Sequence, residues 1–181
     1  MDDKKYNLLD EPWICVMKEN GEVKELSLMD VLLHAHQYRR LAGESPTQDV
    51  AVLRLLLAVL QTVVYRYDTD GNEDELVETE DAYERWKEIW NEGKLPEKPI
   101  REYLTKWKER FYLYDSDRPF YQVPKAAIGT ECKAAKLNGE ISESSNKLRL
   151  FSNRAGKEKE FLSNSEAARW LLYLNGYDDT S

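Results

Sequence analysis

The chain has 181 residues, 41% of them hydrophobic and 33% charged. That suits one folded domain with a sizeable core and is too apolar for a disordered chain. A formal net charge of −8 argues against simple nonspecific binding to nucleic acid. The two cysteines, Cys15 and Cys132, form no C-x-x-C pair, so neither a zinc site nor a disulfide framework is indicated, and a cytoplasmic protein with free thiols is expected.

No basic start leads into an apolar run, so no signal peptide is expected. Trp13 to Met17 and Val23 to Leu26 are predicted strands of a hairpin, joined at Asn20-Gly21, a two-residue turn signal. Ser27 opens a helix with Asp30 three residues on, running to about Arg40 with Leu28, Val31, Leu32 and Tyr38 on its apolar side. Ser45-Pro46-Thr47 starts a second helix, with Thr47 as N-cap, that extends from Gln48 to Tyr67. Leu53, Leu56, Leu57, Leu60 and Val64 make one stripe on it, and Val52, Leu55, Val59 and Val63 another. So wide an apolar surface predicts a central helix covered on most sides. The apolar run from Val50 to Tyr65 is short for a bilayer and is broken by Arg54 and Gln61, so no membrane span is expected.

Asp68 to Asp81 reads as an acidic loop. Beyond it, Tyr83, Trp86 and Trp90 stripe a helix that ends at Gly93, Pro96 and Pro99 mark a linker, and Ile100, Tyr103, Leu104, Trp107 and Phe111 stripe the next helix. At this spacing aromatic stripes are read as core rather than as base-stacking platforms. Phe111 to Tyr114 is a candidate strand, Pro119 to Pro124 an extended segment, residues 125 to 147 a long loop, and Lys147 to Phe151 a strand. Ser163 and Glu166 form a capping box for a last helix, ended by Asn175-Gly176. The expected fold is therefore α+β: a mostly helical domain with an N-terminal β-hairpin and short strands around a central apolar helix.

The charge is uneven. Residues 1–117 hold 16 Lys and Arg against 26 Asp and Glu, whereas residues 118–160 hold 9 against 5. One basic segment thus interrupts an acidic chain. Catalytic patterns are missing. His34 and His36, two apart on a predicted helix, point about 200° apart and cannot share a metal. No serine or cysteine has a histidine partner at a motif spacing, and no phosphate-binding glycine loop occurs. A calcium loop with Gly71 at position six would put Arg66 at position one and Val77 at position twelve, both wrong ligands. No metal, cofactor or enzymatic activity is expected.

Several blocks in order carry a family resemblance. Asn7-Leu8-Leu9-Asp10-Glu11-Pro12-Trp13-Ile14-Cys15-Val16 resembles the N-L-L-D-E-P-W-I-P-V opening of CasA proteins, with Cys15 in place of proline. Leu41 to Asp49, reading L-A-G-E-S-P-T-Q-D, leads into Arg54 to Leu60 in the same style. Pro119-Phe120-Tyr121-Gln122-Val123 matches P-F-x-Q-V, and Leu150-Phe151 a later L-F pair. CasA is the large subunit of the type I-E CRISPR surveillance complex, Cascade. The resemblance implies that residues 1–181 are the N-terminal part of its globular domain. The family's later PAM-contacting lysine, glutamine wedge and C-terminal helical bundle would then lie beyond Ser181.

The resemblance further implies a non-catalytic subunit that helps read the PAM, contacts the 5′ handle of the guide RNA and recruits the helicase-nuclease. Its partners would be the other Cascade subunits, guide RNA and target double-stranded DNA. The family's mobile loop aligns with Lys125 to Arg149. Candidate contacts there are Lys133, Lys136, Asn138, Ser144, Ser145, Asn146, Lys147 and Arg149. A glycine-rich PAM-reading turn aligns with Glu143 to Asn146, where no glycine stands, a departure that bears on close backbone approach and on PAM preference. Two other readings compete: a protein-interaction scaffold without nucleic-acid contact, and a hydrolase using the carboxylates of residues 68–81. The sign of the 118–160 segment favours the nucleic-acid reading.

Overall fold

The structure is a computed structural model and describes residues 6–129, 134–137 and 161–177. Strand β1 (Ile14–Met17) pairs antiparallel with β2 (Val23–Leu26), Ile14 facing Leu26 and Met17 facing Val23. The connection is longer than two residues. Lys18 and Glu22 close it through the Lys18 N–H to Glu22 carbonyl bond (3.0 Å), and Gly21 takes φ +84° while Asn20 stays at negative φ. A type I turn followed by a left-handed residue matches strand twist as well as the tighter turn does.

Ser27 caps α1 (Leu28–Leu33), its Oγ accepting from the Asp30 N–H at 3.1 Å. The helix stops at Leu33 rather than at Arg40. A 3-10 turn, Ala35–Gln37, follows, and Arg40–Leu41 forms β3 on the free side of β1, giving sheet order β2-β1-β3. Sequence periodicity did not reveal β3, because two residues carry no pattern; the pairing with Val16 and Met17 makes it a strand.

The central helix α2 spans Pro46–Arg66. Its N-cap is Ser45 rather than Thr47: the Ser45 Oγ accepts from the Gln48 N–H at 3.2 Å, and Pro46 takes the first helical position, where its missing N–H costs nothing. At 21 residues α2 is long and apolar enough to cross a membrane by length and composition, so the length argument against a span does not hold. Packing settles its role. Ala51, Val52, Leu55, Leu56, Val59, Leu60, Val63 and Val64 are buried in one core with Trp13, Ile14, Val16, α1 and the later helices. The opposite side is not covered as expected, and Val50, Leu53 and Leu57 are exposed.

The acidic loop closes on itself, Asp68 accepting from both the backbone and the side-chain amide of Asn72 at 2.8 Å. These bonds hold its carboxyl below the usual range. Helix α3 (Thr79–Glu92) departs most from expectation. Its buried residues are Arg85 and Ile89, while Tyr83, Trp86 and Trp90 are exposed. The physical reason is Arg85, which donates to the Val64 and Asp74 carbonyls (2.8 Å each) and pairs with the Asp74 carboxylate, turning that face of α3 inward. The Pro96–Pro99 stretch is no linker: Pro96 precedes α4 (Glu97–Lys106), and Pro99 is buried in its first turn. On α4, Ile100 and Leu104 are buried as predicted, but Trp107 lies at the surface. Phe111 to Tyr114 is not a strand; one bridge joins Asn7 and Tyr112.

The last helix, α6, runs Asn164–Tyr177 with the predicted capping box: Ser163 N–H to Glu166 Oε2 is 2.7 Å and Glu166 N–H to Ser163 Oγ is 3.2 Å. It continues through Asn175-Gly176 instead of ending there. It packs along α2 and reaches the N-terminal sheet through Arg169, a buried residue whose guanidinium donates to the Trp13 carbonyl (2.7 Å) and Glu25 (2.6 Å). The neighbouring Trp170 indole donates to Glu44 at 3.0 Å. Burial at this junction pushes the Cys15 thiol up to about 11 and the Tyr6 hydroxyl up to about 12.

Leu60→Ala is expected to cost about 2–5 kcal/mol in chemical denaturation, the range for a buried leucine, and Leu53→Ala about 0.5 kcal/mol or less. Equal losses would contradict the one-sided burial of α2. Arg169→Ala should cost about 3 kcal/mol, the low end for breaking a buried ion pair, because Glu25 still reaches solvent. Unfolding midpoints with and without the substitution check this.

Candidate nucleic-acid interface

The basic segment leaves the body at a turn built by Asp115, whose Oδ1 accepts from the N–H groups of Asp117 and Arg118, both at 2.8 Å. Phe120 then returns to the core and stacks on Phe111 with ring centroids 5.7 Å apart. Gln122 folds back, its Nε2 donating to the carbonyls of Leu113 (2.9 Å) and Phe120 (3.3 Å). Between these anchors Tyr121 sits at φ +55°, the left-handed region, so Pro119 to Pro124 turns sharply and is not extended. A 3-10 turn at Pro124–Ile128 follows and presents Lys125 to solvent.

These residues and α6 enclose an open groove of about 700 Å³, lined by Tyr114, Tyr121, Gln122, Val123, Leu171 and Asn175 among others. Tyr114 donates to Asn164 Oδ1 at 3.0 Å, and burial raises its pKa. Asn175 Nδ2 reaches the Leu171 carbonyl at 2.9 Å and the Tyr121 carbonyl at 3.5 Å. The groove therefore offers two tyrosine rings, amide groups and apolar walls at the root of the basic segment.

Of the residues predicted to contact nucleic acid, Lys136 lies on the one-turn helix α5 (Ala134–Leu137), which packs against α6. Lys133, Asn138, Ser144, Ser145, Asn146, Lys147 and Arg149 lie outside the described residues, as do Glu143, Cys132 and the Lys147–Phe151 strand. The reading of 125–147 as loop is corrected at both places the structure describes, where short helical turns stand instead. Local pattern could not reveal Tyr121 as a left-handed residue, since its conformation follows from the anchors at Phe120 and Gln122. Nor did it single out Arg169, which ties α6, the helix that carries the lining residues Leu171 and Asn175, to the N-terminal hairpin.

The sequence profile of the family described as CRISPR-associated protein Cse1 matches residues 7–180. The chain belongs to the Cse1 family. A curated Cse1 relative, CRISPR-associated protein CasA/Cse1 of Thermus thermophilus, is 34% identical over 169 residues, covering 93% of this chain and 31% of its own length. The crystal structure of Thermobifida fusca Cse1 superposes with a TM-score of 0.75 at 32% identity, over 96% of this chain and 30% of that one. Thermus thermophilus CasA (Cse1) gives 0.67 at 31%, over 94% and 30%. A chain of a CRISPR RNA-guided surveillance complex, pre-nicking, shares the fold with a TM-score of 0.73 at 21% identity, over 95% of this chain and 34% of that one. This chain thus spans about 30% of the length of the Cse1 proteins it matches. The α+β fold and the resemblance read from its sequence blocks agree with this membership.

Tyr121 gives a test of the groove's geometry. Tyr121→Gly should leave stability within about 1 kcal/mol of the parent, because relief of the left-handed conformation offsets the missing ring packing. Tyr121→Val should destabilise by about 1–3 kcal/mol, since a β-branched residue tolerates positive φ poorly. Similar melting curves for the two variants would contradict the conformation.

Proposed function

We propose that this chain is a non-catalytic part of a type I-E Cascade complex, and that its 125–149 segment contacts the guide RNA 5′ handle and the DNA beside the target. The observation that carries the reading is the basic segment, the one such stretch in an acidic Cse1-family chain, emerging beside a groove with two tyrosine rings. Lysine and arginine neutralise phosphates and release counterions, a term independent of sequence. The acidic remainder repels stray nucleic acid, so contact is confined to what the assembly presents to this segment. Sequence discrimination would fall to guide pairing, with protein reading the adjacent PAM, as in another RNA-guided effector. Recruitment of the helicase-nuclease and a cytoplasmic setting belong to the same proposal.

A second reading, a docking scaffold without nucleic-acid contact, is favoured by the acidic face of α3 and the loop before it. One experiment separates them. A Cascade complex rebuilt with Lys133, Lys136, Lys147 and Arg149 all changed to alanine is expected to bind target duplex more weakly. Its log–log salt slope should be shallower by roughly 0.9 for each phosphate that is no longer neutralised. Unchanged affinity and slope would leave the scaffold reading.

A further inference from the structure

We infer that the aromatic face of α3 is a docking surface for a cationic, arginine- or lysine-rich protein segment. Tyr83 is 66% exposed, Trp86 40% and Trp90 85%. At the helical repeat of about 100° per residue, the three fall within one arc of roughly 60°. Trp86 and Trp90 line an open hollow of about 430 Å³ with Ala35, His36, Ile89 and Leu95. Exposed aromatic area gathered around a hollow marks an interaction site rather than scattered surface.

Charge selects the occupant. Residues 68–92 hold eleven carboxylates against two cations, Arg85 and Lys87. Arg85 is buried and spent on Asp74. Glu80, Glu84 and Glu88 occupy the helix arc next to the aromatic one, and Asp70, Asp74 and Glu75 line the adjoining loop. The protein itself already places a cation in this setting: Lys87 Nζ lies 5.9 Å from the Tyr83 ring centroid while bonded to Glu84 at 3.1 Å. Guanidinium and ammonium groups gain from both a ring face and a neighbouring carboxylate. Nucleic acid fits poorly, because base stacking on such rings needs a cationic track for phosphates, and beside the hollow stand just Lys94 and His36. A second copy of the same face would set two carboxylate clusters against each other. This face shares no residue with the 125–149 segment, so its test is independent of the function proposed above.

The test is fluorescence anisotropy of a labelled oligo-arginine peptide titrated with the full chain, with an oligo-glutamate peptide and a DNA duplex as comparators. Binding of the arginine peptide alone is expected. Trp86→Ala with Trp90→Ala, which leaves every charge in place, should weaken it about tenfold, the sum of two exposed cation–π contacts. Glu80→Gln with Glu84→Gln and Glu88→Gln should weaken it as well and flatten its salt dependence. If the tryptophan variant binds like the parent, the attraction is plain ion exchange and the docking surface is refuted. Duplex binding that disappears with the tryptophans would refute it in favour of a base-stacking platform. Trp90→Ala alone, at an 85% exposed position, keeps the comparison valid if the double variant melts early.

Discussion

A buried guanidinium joins the two ends of this fold. Arg169, on the last described helix, reaches the carbonyl of Trp13 and the carboxylate of Glu25 on the first hairpin, 156 and 144 residues away in the chain. Desolvating a guanidinium costs several kcal/mol, and the cost is recovered only if its hydrogen bonds are made in one geometry. The interaction therefore fixes where α6 lies more than it adds stability. The Trp170–Glu44 bond next to it ties the same helix to the segment entering α2. Because Leu171 and Asn175 form a wall of the groove beside Tyr121, the shape of that groove depends on this junction.

Charge divides the molecule into two chemistries. The basic segment is suited to phosphates, and the loop and helix spanning residues 68–92 are suited to cations. On the proposed reading, a chain that meets nucleic acid at one place and other proteins elsewhere would gain from this separation. The acidic face suppresses nonspecific phosphate contact and leaves the basic segment as the favourable approach. The aromatic residues on the acidic face add contact area that charge alone does not supply.

The sequence blocks that carry the family resemblance turn out, where the structure describes them, to be folding devices. In the opening block Asn7 accepts from the Leu9 N–H and the Trp13 indole donates to the Leu8 carbonyl, both buried, and Asn7 donates to the Lys108 carbonyl at the edge of the core. In the second block Gly43 lies so close to Gln48 and Asp49 that a Cβ would come within 2.7 Å of their side-chain oxygens. Those oxygens accept the N–H groups of Glu44 and Gly43 and staple the chain to the start of α2. In the third, Phe120 and Gln122 anchor the turn at Tyr121. A family can thus be legible through its packing alone.

By itself the sequence determined the local and the compositional features. The hairpin, the capped starts of α1 and α6, the central helix, the α+β class and the one basic segment all follow from turn chemistry, capping residues, periodicity and charge count. These act within a few residues, so they survive without knowledge of the fold. The ordered blocks carried the family because they are contiguous runs of sequence, readable without knowing what they touch. The tertiary structure alone decided β3, the exposure of Leu53, Leu57 and the α3 aromatics, the left-handed Tyr121 and the role of Arg169. Helical spacing says that apolar residues share a face, not which face turns inward. On α3 the buried Arg85, bonded to the Val64 and Asp74 carbonyls and paired with the Asp74 carboxylate, outweighed two tryptophans and a tyrosine in that choice, and a pairing between distant residues leaves no periodic trace.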